Sequence, residues 1–125
     1  MHRRRIERLN EQIKRELMDL VRRELADPRV ANVTLTAVET TPDLYHARVY
    51  VTLLGGEDER AAALAGLRAA RPLLRGELGR RLHIRRVPEL EFTWDETLEQ
   101  ARRIESLLAQ VRPPDEAAAD EPDDD

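Results

Sequence analysis

Residues 67–86 read LRAARPLLRGELGRRLHIRR, and Pro72 stands inside a run whose composition is otherwise helical. Within a helix, proline deletes a backbone donor and its ring meets the preceding turn, at a cost of roughly 3 kcal/mol. At the first helical position it forfeits nothing, because that N–H has no partner and the fixed φ is already helical. The residue ahead of it, Arg71, is pushed out of the α region. The cheaper solution is therefore two helices meeting at a sharp kink over Ala70, Arg71 and Pro72. The first carries Leu64, Leu67 and Ala70, and the second Leu74, Leu78 and Leu82 on one face.

The flanks of this helix pair show two other periodicities. From Arg3 to Ala26, Ile6, Leu9, Ile13, Leu17, Leu20 and Val21 recur at three- and four-residue steps, the stripe of an amphipathic helix that Asp27-Pro28 ends. Val33 to Val38 is β-branched and partly alternating, while Ala47, Val49, Val51 and Leu53 alternate with Arg48, Tyr50 and Thr52. These predict two strands joined as a hairpin through Thr41, Pro42 and Asp43, with Gly55-Gly56 ending the second. Pro88 opens a third strand running to Trp94, on which Leu90, Phe92 and Trp94 point the same way. Asp95 is placed to cap a last helix in which Leu98, Ala101, Ile104, Leu108 and Val111 keep helical spacing. The order α-β-β-α-α-β-α predicts one α+β domain over residues 1–112 with a three-stranded sheet, and 125 residues that are 41% apolar suffice for one modest core.

Charge divides the chain. Residues 1–112 carry 21 basic against 18 acidic side chains, a net +3, whereas the last thirteen residues, PPDEAAADEPDDD, hold seven acids and no base. This tail, residues 113–125, lacks large apolar groups and is expected to be disordered. It reads as a solubilising segment, or as one that competes with nucleic acid for the basic face. Twenty of the 21 bases are arginine, which either follows codon bias or reflects the fit of a planar fork to phosphate. The absence of cysteine excludes disulfides, thiolate-bound zinc and thiol catalysis. The opening MHRRRIERLN has no apolar core of a signal peptide, and no run is long enough to span a bilayer, so a soluble cytoplasmic protein without membrane contact is expected.

Two arrays of arginine are candidates for a phosphate-binding surface. Arg4, Arg8, Arg15 and Arg22 fall in a sector about 40° wide on the first helix, a row about 27 Å long opposite the apolar stripe. Glu11 and Asp19 flank that row, so an ordinary solvated face explains it equally well. Around the kink the imbalance is sharper: Arg71, Arg75, Arg80, Arg81, Arg85 and Arg86 oppose only Glu77, a net +5 over sixteen residues. Gly76 and Gly79 lie between Arg75 and Arg80, away from the leucines, and each costs about 1 kcal/mol relative to alanine in a helix interior. They form either a bare strip along which a sugar-phosphate backbone can approach, or a site of close packing. Of the four aromatic residues, Phe92 and Trp94 have the alternation of core side chains, so recognition of backbone and shape is favoured over stacking of bases.

Little is available for catalysis. Ser106 is the sole serine and has no histidine near it in sequence; His2, His46 and His83 are scattered without metal-ligand spacing; there is no Walker loop and no GxGxxG. Glu89 and Glu91 share a strand face, but no pocket is indicated that would separate their protonation behaviour. No enzymatic activity, metal or cofactor is expected.

Several ordered pieces together carry a resemblance. They are Asp27-Pro28-Arg29; Asp43-Leu44 through Ala47-Arg48-Val49-Tyr50-Val51; Leu74-Arg75-x-Glu77-Leu78-Gly79-x-Arg81-Leu82; and Arg85-x-x-Pro88-Glu89-Leu90-x-Phe92-x-x-Asp95. Over about residues 3–110 the chain resembles the ribosome-binding factor A family. The resemblance implies a type II KH fold, α-β-β-α-α-β, to which the last helix is an addition. It implies a non-catalytic factor that binds the immature small (30S) ribosomal subunit and assists late maturation of its rRNA, including 5′-end processing of 16S rRNA and growth in the cold. The family replaces the KH GxxG loop by an Ala-x-Gly kink, which falls by position on Ala70-Arg71-Pro72, with proline where glycine is expected. Glycine there would allow φ > 0 and expose an amide; proline fixes φ near −65° and has no N–H.

The expected partner is thus the small subunit and its rRNA, bound by a monomer, with Arg75, Arg80, Arg81, Arg85 and Arg86 as the electrostatic centre and the first-helix row as a second contact. The alternative is a basic protein-interaction module that contacts a ribosomal protein or an assembly GTPase. DNA binding is disfavoured, since no helix-turn-helix pattern is visible.

Overall fold

The computed structural model describes residues 2–97 together with Ile104, Leu107 and Leu108. Two compact units are present, Met1–Trp94 and Asp95–Asp125. In the first, helix α1 (His2–Glu24) leads through a 3-10 turn (Pro28–Val30) to strands β1 (Thr34–Thr40) and β2 (His46–Thr52), then to helices α2 (Glu57–Ala69) and α3 (Arg71–Leu82), and finally to strand β3 (Glu89–Trp94). In the second, Glu96, Thr97, Ile104, Leu107 and Leu108 have helical backbone, and the Thr97 N–H donates to Asp95 Oδ1 at 3.1 Å, the capping role expected of that aspartate. The other positions of the last helix and the acidic tail lie outside the described residues.

Local chemistry sets the element ends. Helix α1 stops at Glu24, two residues before the expected Ala26, because Asp27 turns its carboxylate back on the chain and accepts from the Arg29 N–H at 2.9 Å, starting the 3-10 turn with Pro28 at its head. The incomplete alternation of β1 also has a cause. The register with β2 shifts between Leu35 and Ala37, so the bulge at Thr36 lets Leu35 and Val38, three apart, both be buried.

β2 is the middle strand of a β1-β2-β3 sheet, antiparallel to β1 and parallel to β3. A parallel neighbour cannot be reached by a tight turn, which is why the α2–α3 pair lies between β2 and β3. One sheet face carries Ala47, Val49, Val51, Leu90 and Phe92, all buried together with Ile13, Leu17 and Leu20 of α1, Leu67 of α2 and Leu74 and Leu78 of α3. Each fully buried aliphatic side chain contributes about 1.5–3 kcal/mol. The other face is polar: Arg48 lies 3.5 Å from Glu91, and the Tyr50 hydroxyl donates to Glu39 Oε1 at 2.9 Å.

One close approach was not legible in the sequence. A methyl group on Gly66 would stand 3.0 Å from both Val30 Cγ1 and Asp27 Oδ2, so glycine is what lets α2 lie directly on the 3-10 turn.

Candidate nucleic-acid interface

The α2–α3 junction is tighter than expected. α3 begins at Arg71, so Pro72 is its second residue and Arg71, expected outside the helix, is its first. The first N–H groups of a helix all lack intrahelical acceptors, and proline is as inexpensive at the second position as at the first. The bend falls on Ala70, with φ −89° and ψ 0°; the Ala70 N–H closes α2 on Gly66 O, and Ala70 O accepts from Leu74 N at 2.9 Å. Among the described residues only Leu44 and His83 have positive φ. The kink therefore needs no left-handed residue, which is the physical reason proline can occupy a position where glycine is expected.

The arginines around this kink do different work. Arg75 clamps the approach to β3, donating from Nη2 to Val87 O at 2.7 Å and from Nε to Pro88 O at 3.1 Å, with Glu89 3.6 Å away. Arg71 reaches Arg68 O at 3.3 Å and Leu90 O at 3.4 Å. Arg81 turns toward α1 and pairs with Glu16 at 2.9 Å and Asp19 at 2.8 Å. Arg80 is exposed and holds Glu77 at 2.7 Å. The guanidinium groups of Arg71, Arg75 and Arg81 thus fasten the fold. Arg85 and Arg86, by contrast, are exposed; Arg86 lies over the Tyr45 ring, and no ion pair holds either one among the described residues. A hint of Arg81's role was available in the sequence: Glu16 and Asp19 sit three apart on α1, beside its apolar stripe.

Pro72, Arg75, Gly76, Arg85, Arg86 and Val87 line a groove of about 630 Å³. His83, left-handed at φ 55°, caps α3 through its N–H to Gly79 O at 3.0 Å and turns the chain from the helix toward Arg85. The two glycines separate here. Gly79 is a packing residue, since a methyl group on it would lie 3.1 Å from Val87 Cγ2, whereas one on Gly76 would meet only Arg80 Nη2 at 3.9 Å. Gly76 is exposed in the groove and has no packing reason to lack a side chain. Gly76→Ala is accordingly expected to raise stability by about 1 kcal/mol in a denaturant titration while weakening RNA binding. A variant that is more stable and binds as well as the parent would remove Gly76 from the interface.

Of the first-helix row, Arg15 and Arg22 line a different groove, of about 450 Å³, together with Glu11, Lys14, Met18, Asp19 and Leu35. Arg4, Arg8, Arg15 and Arg22 are all exposed, and Arg15 and Arg22 share their groove with two carboxylates. The two arginine arrays do not line one groove. Glu89 and Glu91 are both exposed, 3.6 Å from Arg75 and 3.5 Å from Arg48 respectively. Among the described residues no three His, Asp or Glu side chains gather to hold a metal ion, and no helix is long and apolar enough to cross a membrane.

The Arg81 link has a pH signature. Its hydrogen bond, with help from Arg23, holds the Asp19 carboxyl below its ordinary value of 3.8; Arg29 does the same for Asp27, and the Thr41 hydroxyl for Asp43. A carboxyl lowered in the folded state stabilises fully above its unfolded pKa and loses that contribution as pH falls through the folded one. The urea midpoint is therefore expected to hold from neutral pH down to about 5 and then to fall below about 4. Asp19→Asn should flatten that fall, and an acid limb unchanged by it would contradict the assignment.

Comparison with known proteins decides the family. The family model described as ribosome-binding factor A matches residues 5–108. The chain belongs to the ribosome-binding factor A family. Within it, the protein of Thioalkalivibrio sulfidiphilus is 47% identical over 121 residues, 97% of this chain and 92% of that one. The Brevibacillus brevis protein is 44% identical over 111 residues, 89% and 92% of the two chains. The crystal structure of ribosome-binding factor A from Thermus thermophilus superposes with a TM-score of 0.65 at 35% identity, covering 71% of this chain and 93% of that one. A homology model of the Thermus thermophilus factor, fitted into a cryo-EM map of a 30S complex, matches with a TM-score of 0.60 at 36% identity over 70% and 91% of the chains. Three helices on a three-stranded mixed sheet are thus an architecture this chain shares with solved ribosome-binding factors A.

Proposed function

We propose that this protein binds the small ribosomal subunit through rRNA phosphates and, without catalysing a reaction, assists late maturation of 16S rRNA, including its 5′-end processing and its completion in the cold. The observation that carries the reading is the fit of a relative 36% identical to this chain into the map of a 30S complex. The groove of Arg85, Arg86 and Gly76 supplies a physical means: two exposed guanidinium forks beside the one position, Gly76, at which the helix brings no side chain of its own into the groove. Such a surface suits the positioning of an RNA through its backbone. Its place of action would be the cytoplasm, where subunits mature.

Deleting the gene from its host tests this. Precursor 16S rRNA with an extended 5′ end should accumulate on free small subunits, and growth should slow most in the cold. Re-expression of the intact chain should restore both. Mature 5′ ends and normal growth in the cold after deletion would contradict the maturation role.

A further inference from the structure

The groove does not end at Arg86. The Arg86 guanidinium carbon lies 4.4 Å from the centroid of the Tyr45 ring, and Tyr45 is 50% exposed at the tip of the β1–β2 hairpin. The core does not include this ring, and the backbone that presents it is firmly held. The Thr41 hydroxyl and the Tyr45 N–H both donate to Asp43 Oδ1, at 2.6 and 3.0 Å. The Leu44 N–H donates to Thr41 O at 2.8 Å, with Leu44 itself left-handed at φ 65°, a conformation costly for leucine. Tyr45 O in turn accepts from the Glu89 N–H at 2.8 Å, joining the hairpin tip to the start of β3. A strained, multiply bonded loop thus fixes a half-exposed ring under a cation that also lines the phosphate groove.

We infer that Tyr45 and Arg86 form a stacking platform for an unpaired RNA base, whose flanking phosphates lie along Arg85 and the bare backbone at Gly76. The inference rests on the proposed RNA-binding role of that groove and adds the class of ligand: a single-stranded stretch rather than a duplex. Both surfaces suit a base, since aromatic rings and guanidinium planes each stack on nucleobases, whereas the bases of a duplex are already stacked on one another. On the open sheet face the one tyrosine ring is that of Tyr50, less exposed than Tyr45 and with its hydroxyl tied to Glu39.

The test uses the full chain with three probes: a short oligoadenylate, an abasic ribose-phosphate oligomer of the same length, and an RNA duplex. Wild type should bind oligoadenylate about tenfold more tightly than the abasic oligomer. Tyr45→Ala should lose that margin and leave abasic binding unchanged, while Tyr45→Phe and Tyr45→Trp, which keep a ring, should retain it. The Glu89 contact is made by the Tyr45 backbone and survives each substitution, and circular dichroism checks the fold. Equal wild-type affinity for the oligoadenylate and the abasic oligomer, preference for the duplex, or a Tyr45→Ala variant indistinguishable from wild type would overturn the stacking site while leaving the phosphate groove standing. Failure of wild type to bind any of the three would overturn both.

Discussion

Replacing Arg85 and Arg86 together by glutamate is expected to lower affinity for the small subunit by about two orders of magnitude at physiological salt, with the thermal midpoint nearly unchanged. Both side chains are exposed and neither holds an ion pair among the described residues, so reversing them removes no contact that fastens the helices. Each reversal removes one phosphate partner and adds a repulsion, and RNA affinity is dominated by such charge terms. The same change at Arg80 and Arg81 would be a poorer probe. Arg81 holds Glu16 and Asp19, so a carboxylate there would face two others across the α1–α3 contact and the loss of binding would be mixed with loss of fold. Arg102→Glu with Arg103→Glu serves as the reference. Should that pair weaken subunit binding more, the interface would lie on the C-terminal segment instead.

Phe92→Ala is expected to cost about 3–5 kcal/mol, read as a shift in the urea midpoint, and to lower the thermal midpoint by roughly 15 °C or more. Phe92 is fully buried on β3 and pairs in register with Val49, where the sheet meets the helices. Domains of this size have only about 5–15 kcal/mol in total, so this variant should be marginal at growth temperature. Phe92→Leu, which keeps most of the volume, should recover more than half of the loss. A loss below about 1 kcal/mol for alanine would mean that the site collapses freely and that β3 is not packed as described.

Much of this arrangement was visible in the chain. The α1 stripe, the hairpin, the alternating β3 and the division of the central helices by Pro72 depend on local periodicity and on proline geometry, which sequence carries directly. Long-range partners are another matter. Nothing local marks β3 as parallel to β2, Thr36 as the bulged residue or Gly66 as the seat of the 3-10 turn. The arginine cluster shows the limit most clearly. Six like charges in sixteen residues predict one basic surface, yet three of the six reach acceptors that are either backbone carbonyls near β3 or carboxylates on α1. Charge density counts guanidinium groups; only the fold shows which of them are already engaged. Tyr45 was missed for the opposite reason, since a lone aromatic in a turn has no periodicity to distinguish it.

If the groove between Pro72 and Arg86 holds RNA phosphates, the affinity of the purified chain for isolated 16S rRNA must depend steeply on salt. Log Kd should rise linearly with log salt concentration, and Arg85→Glu with Arg86→Glu should reduce the magnitude of that slope by about 1.4–1.8, two phosphate contacts' worth. A wild-type affinity that stays flat from low to physiological salt, or a slope the double variant leaves unchanged, would contradict phosphate binding there.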